Sequence, residues 1–82
     1  MKDIRMAIEI AEAARDQGTI KGWSLSAIGD RFTASAMLPF RGHGPLNSFV
    51  QRADAAEALV DAVMEALHLS DVEARRGAER IA

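Results

Sequence analysis

Between Trp23 and Leu38 the chain alternates apolar and polar residues with a period of two, and the phase of that alternation reverses once. Trp23, Leu25 and Ala27 are apolar, with Ser24 and Ser26 between them. Beyond Gly29-Asp30 the apolar residues are Phe32, Ala34, Ala36 and Leu38, alternating with Thr33 and Ser35. Alternation on both sides of a two-residue Gly-Asp connection predicts a β-hairpin, and Gly at the first central position suits a type II′ turn. So short a turn sets the register: Ile28 faces Arg31, Ala27 faces Phe32, Leu25 faces Ala34 and Trp23 faces Ala36. The apolar residues then share one face, where Trp23, Leu25 and Phe32 each meet an alanine. Ser26 with Thr33 and Ser24 with Ser35 share the other. A slip of one residue would mix the two faces, so the register is strongly specified.

The flanking segments carry a helical period instead. Over 3–17, Ile4, Ala7, Ile8, Ala11 and Ala14 follow three-four spacing, Met6 and Ile10 widen the stripe, and Arg5, Glu9, Glu12 and Asp16 lie opposite. Gly18 stands where a helix C′ residue belongs. Alanine at the centre of the stripe permits close approach, and the predicted seat is the Trp23 face of the hairpin; a homodimer seam is the alternative. Over 55–69, Leu59, Val60, Val63, Met64 and Leu67 with four alanines form a broad apolar face. Asp54 and Glu57 form a D-x-x-E capping box at its start. Ser70 with Glu73 has the form of a second capping box, predicting a separate short helix near 71–81 that Gly77 weakens.

Residues 46–52 fit a third strand, with one of the adjacent Phe49 and Val50 facing inward and the other at an edge. The connection before it, Pro39-Phe40-Arg41-Gly42-His43-Gly44-Pro45, excludes regular structure and offers Phe40, Arg41 and His43 as contact residues. The predicted architecture is a single α+β domain over 1–82. It has order α-β-β-β-α, a three-stranded antiparallel sheet, both helices on one face and a short C-terminal helix.

Net charge is −2, which selects no partner class, but its distribution is uneven. Residues 19–52 carry Lys21, Arg31, Arg41 and Arg52 against Asp30, a balance of +3. Residues 54–69 carry Asp54, Glu57, Asp61 and Glu65 with no Lys or Arg, a balance of −4. Glu57, Asp61 and Glu65 recur every fourth residue and form an acidic stripe opposite the apolar face, suited to a basic protein surface. The chain contains no cysteine, which excludes disulfides and thiolate metal sites and fits a cytoplasmic setting. Acids within the apolar part of the N-terminal segment are wrong for a signal peptide, and no run has transmembrane length.

Catalytic chemistry finds little purchase. Glu65-x-x-His68 has the spacing used in di-iron bundles, but those need a second copy and further carboxylates. No nucleophile elbow surrounds any serine, and Gly42-His43-Gly44 lacks both a dinucleotide-fold context and a P-loop lysine. No enzyme activity, metal or cofactor is expected.

Three resemblances bear on function. The element order resembles that of double-stranded-RNA-binding domains. Their second helix begins with phosphate-gripping lysines, where this chain has Ala55-Ala56-Glu57, so direct nucleic-acid binding is not expected. The half of the chain with Phe32-Thr33-Ala34, Leu38-Pro39 and Ala53-Asp54-Ala55-Ala56-Glu57-Ala58-Leu59 resembles the HicB-type antitoxin pattern. There a strand ending in proline leads through a loop and a further strand into an alanine-rich helix. This resemblance implies a strand-meander module that binds a protein. In size, lack of cysteine and acidic helix the chain is similar to small phage-encoded inhibitors of the anti-CRISPR type. Such proteins compete for basic sites on nucleic-acid-processing machines. That likeness implies a non-catalytic inhibitor whose contact residues are Glu57, Asp61 and Glu65; the rival contact surface is the uncharged Ser24, Ser26, Thr33 and Ser35 face of the sheet together with Phe40, Arg41 and His43 of the loop.

Overall fold

The computed structural model describes residues 3–39 and 47–81, with side chains as far as Leu69. The elements run α1 (Ile4–Asp16), β1 (Gly22–Ile28), β2 (Arg31–Met37), β3 (Val50–Arg52) and α2 (Ala55–Ile81). The three strands form one antiparallel sheet in the order β1-β2-β3, so the fold is α+β with the predicted order.

The hairpin has the register that its alternation predicts, from Ile28 opposite Arg31 to Trp23 opposite Ala36. Gly29 has φ +62° and Asp30 is not in the positive-φ region, the pattern of a type II′ turn rather than type I′, which needs positive φ at both central residues. Ala34 and Ala36 are fully buried, while Trp23, Leu25 and Phe32 are partly buried against the same core. Ser24 is exposed on the opposite face, where its Oγ lies 2.8 Å from that of Ser35 in a cross-strand hydrogen bond.

The end of α1 is a Schellman motif. Gly18 N–H donates to the Arg15 carbonyl at 3.0 Å, and Thr19 N–H donates to the Ala14 carbonyl at 3.0 Å. Gly18 takes φ +77°, which a residue with a Cβ adopts only under strain. The reversal delivers Ile20 into the core, where it is 1% exposed. At the other end, Arg5 N–H donates to Asp3 Oδ1 at 2.9 Å. For α2 the predicted cap forms: Glu57 N–H donates to Asp54 Oδ2 at 2.9 Å.

Two expectations about the helices are corrected. First, α1 packs chiefly on α2, and it is α2 that lies against β1, β2 and β3. The buried residues of α1 are Ala7, Ala11 and Ala14 alone, and they share one core with Ala56, Leu59 and Val63 of α2. An alanine seam brings two helix axes close, and this closeness leaves no room in the seam for isoleucine or methionine. Ile4, Ile8, Met6 and Ile10 therefore flank it and keep substantial exposure. Second, α2 is one continuous helix of 27 residues with no break at Ser70. Serine and aspartate cost an interior helical position only a few tenths of a kcal/mol, and one glycine costs about 1 kcal/mol. Neither a proline nor a left-handed glycine intervenes to end the helix. At 1.5 Å per residue it is about 40 Å long, against about 23 Å for a seven-residue strand.

The third strand is shorter than predicted, but its register extends beyond it. Phe32 faces Arg52, Thr33 faces Gln51 and Ala34 faces Val50. A further bridge joins Met37 to Asn47 in the same register. Between them, at Ser48, a side chain replaces part of the main-chain ladder. Ser48 N–H donates to the Ala36 carbonyl at 2.9 Å, and Ala36 N–H donates to Ser48 Oγ at 3.0 Å. The hydroxyl donates in turn to the Ala62 carbonyl of α2 at 2.7 Å. Of its two acceptors within reach, Ala62 is much the nearer; the Ala36 carbonyl lies at 3.5 Å. Val50 is buried and Phe49 points out, 69% exposed, which answers the choice left open for that pair.

Two stability measurements follow. Ser48→Ala leaves the Ala36 N–H without its acceptor in a buried site, and should cost about 1–3 kcal/mol by denaturant unfolding. Asp54→Ala removes only a helix cap and should cost about 1 kcal/mol. An alanine at 48 as stable as the wild type would show that a backbone carbonyl or water can replace the hydroxyl.

Candidate interaction surfaces

Three surfaces were candidates for partner contact, and the structure treats them differently. The acidic stripe is the first. Glu57 and Asp61 are half-buried, and Glu65 and His68 are exposed. Asp61 is not a free charge, because Arg52 Nε donates to its Oδ2 at 3.1 Å. Arg52 shares the inward parity of Val50 at the end of β3, which brings its guanidinium to α2; its NH1 also donates to the Gln51 carbonyl at 2.8 Å. The middle of the stripe is therefore compensated from within the chain, and Glu57 and Glu65 remain as its outward charges. Phe40, Arg41 and His43, the loop residues predicted as contacts, lie outside the described residues.

The second surface is the outer face of the sheet. It carries Ser24, Ser26, Thr33 and Ser35, with Met37 partly exposed beside them. The register places Phe49 next to Ser35 on this face. A shallow hollow of about 220 Å³ opens at its edge, between Trp23, Ser24, Ser35, Met37 and Asn47.

The third surface was not singled out in the sequence. A groove of about 440 Å³ runs between α1 and the start of α2, lined by Asp3, Met6, Ala7, Ile10, Ala56 and Val60. Its lining is predominantly apolar. Met6 is 60% exposed on one wall; Met64, outside the lining but one turn beyond Val60 on the same side of α2, is 57% exposed. Sequence periodicity merged these residues into the buried stripes of the two helices. The signal that would have separated them is the narrowness of the alanine seam.

Among the described residues no group of three or more His, Asp or Glu side chains converges to hold a metal ion, and no helix is long and apolar enough to cross a membrane. Among the described residues, too, no buried side-chain nitrogen or oxygen lacks a hydrogen-bond partner. Comparison with protein families, with curated proteins and with solved structures returns no match.

The Arg52–Asp61 pair is open to solvent, with side chains 45% and 37% exposed. An exposed pair contributes little, so Arg52→Ala should shift stability by less than about 1 kcal/mol. A larger loss in a chemical denaturation curve would mean that the pair anchors β3 to α2.

Proposed function

We propose that this chain is a non-catalytic protein-binding module, most simply a small inhibitor of the phage or mobile-element kind, anti-CRISPR-like, acting on a nucleic-acid-processing complex. One observation carries the reading. A domain of 82 residues has little apolar area to spare, yet the outer flanks of α1 and the facing edge of α2 expose Met6, Ile10 and Met64 around an open groove. Apolar side chains grouped on the surface of a small soluble domain mark a contact surface for another macromolecule. Acidic neighbours on both helices favour a partner with a basic surface, as proteins that handle nucleic acids commonly present.

The element order favours a second reading, an RNA-binding module of the double-stranded-RNA-binding type, or an antitoxin-like module built on the strand meander. Against it stands the start of α2, where Asp54 and Glu57 occupy positions at which a phosphate-gripping helix needs cations.

Affinity capture from bacterial lysate, run beside a gel shift with double-stranded RNA and DNA, separates the two. The expected result is capture of a nucleic-acid-handling protein that weakens between about 0.1 M and about 0.5 M salt, with no gel shift. Glu57→Lys combined with Glu65→Lys should reduce capture without unfolding the domain. Asp61 is left in place so that Arg52 keeps its partner. A salt-sensitive shift of RNA by the wild-type protein, with no protein captured, would replace the inhibitor reading with the RNA-binding one.

A further inference from the structure

Resting on that reading of the chain as a protein-binding module, we infer that the groove between α1 and α2 seats a basic amphipathic helix of the partner. Its apolar stripe would lie on Met6, Ile10, Val60 and Met64, and its Lys or Arg residues against the carboxylates along the rims. The groove supplies the apolar half of this match. Methionine is unbranched and adaptable, and Met6 on one wall with Met64 just beyond the end of the other suits a ridge of leucine-like side chains from an inserted helix.

The rims supply the charge. On α1, Asp3 lines the groove and Glu9 stands three residues after Met6, on the solvent side of the same flank. On α2, Glu57 stands three residues before Val60 and seven before Met64, so it borders the opposite wall. Of the described bases of α1, Arg15 falls on the other side of the helix from Met6 and Ile10 and is paired with Glu12 at 2.7 Å, while Arg5 stands one turn before Glu9 on the same face, so Asp3, in the groove lining itself, carries the charge of this bank. Asp3 on one bank and Glu57 on the other set carboxylates along the groove, and cationic side chains flanking an apolar stripe would complement them. A second copy of this chain in the groove would set carboxylate against carboxylate, which disfavours the homodimer alternative. A nucleic acid would meet the same repulsion.

The test uses a fluorescein-labelled peptide with leucines at helical i, i+3, i+4 and i+7 spacing and lysines elsewhere. A scrambled peptide of the same composition and a glutamate-for-lysine version serve as controls, and anisotropy is read at low and moderate salt. The lysine peptide should bind and the other two should not. Met6→Gln with Met64→Gln removes the apolar anchors without changing charge, and should weaken binding about tenfold or more. Glu9→Gln with Glu57→Gln should weaken it at about 0.1 M salt and make little difference at about 0.5 M. Circular dichroism of each variant should match the wild type, since the methionines are mostly exposed and glutamine is a good helix former.

Equal binding of the scrambled or acidic peptide, or indifference to both pairs of substitutions, would overturn the proposal. So would a homodimer in sedimentation that Met6→Gln dissociates. If lysate capture persists in the methionine variants but is lost on Ser26→Glu or Phe49→Ser, the groove assignment fails while the binding-module reading survives. If the peptide does not bind and nothing is captured, both fail.

Discussion

The hydroxyl of Ser48 ties the third strand segment, the central strand and α2 to one another. It accepts from the central strand and donates to the third turn of α2, standing where the ladder between β2 and its neighbour would otherwise need a carbonyl. Two geometries are fixed at once. The strand segment at 47–50 is held at one distance from β2, and α2 is held at one height over the sheet. A hydrocarbon side chain at this position could fill the space but could not choose among heights, because apolar contact is non-directional. Ser48 is the only buried polar residue among the described residues, which gives its hydrogen bonds particular leverage over how the layers align.

Alanine is the second constraint. The α1 side of the seam between the helices and the strip of β2 beneath α2 are built from it, with Leu59, Val63 and Ile20 as the largest fully buried side chains. Close packing from small residues gives little apolar burial per residue but many short contacts between backbones. The arrangement has a geometric consequence for the larger apolar residues of α1. They cannot enter the seam and must line its edges, and the groove is the result. Structural economy in the core and an apolar surface outside are therefore two effects of the same composition.

What was legible in the sequence follows from this division. The hairpin could be read to the residue because a period of two, a two-residue turn and the pairing of large with small residues all demand one register. The caps at Asp54 and Gly18 could be read because each performs a local task with its own main chain. The seat of α1 could not be read, since a helical stripe records which side is apolar and not which partner covers it. The continuity of α2 through Ser70 was also hidden, because a capping residue is only a local preference and an established helix runs past it at small cost. Ser48 carried no signal at all: a serine near a proline- and glycine-rich connection looks like any loop serine until the opposing strand and helix are in place. For the candidate surfaces, the acids at 57, 61 and 65 were visible as a stripe. The pairing of Asp61 with Arg52 depends on a strand end meeting a helix, which no spacing in the chain encodes.

The order of elements along the chain adds one temporal effect. The partners of the alanine seam, α1 and α2, are separated in sequence by the entire sheet. During synthesis α1 emerges first and waits through three strands before its counterpart exists. Closing contacts between segments so far apart is slow relative to forming a hairpin. Through that interval its Ala7, Ala11 and Ala14 face is covered by nothing native, beside isoleucines and a methionine that the finished fold also leaves part-exposed. The charged residues interleaved with them, Arg5, Glu9, Glu12, Arg15 and Asp16, are of the kind that discourage an uncovered apolar stripe from associating with neighbouring chains.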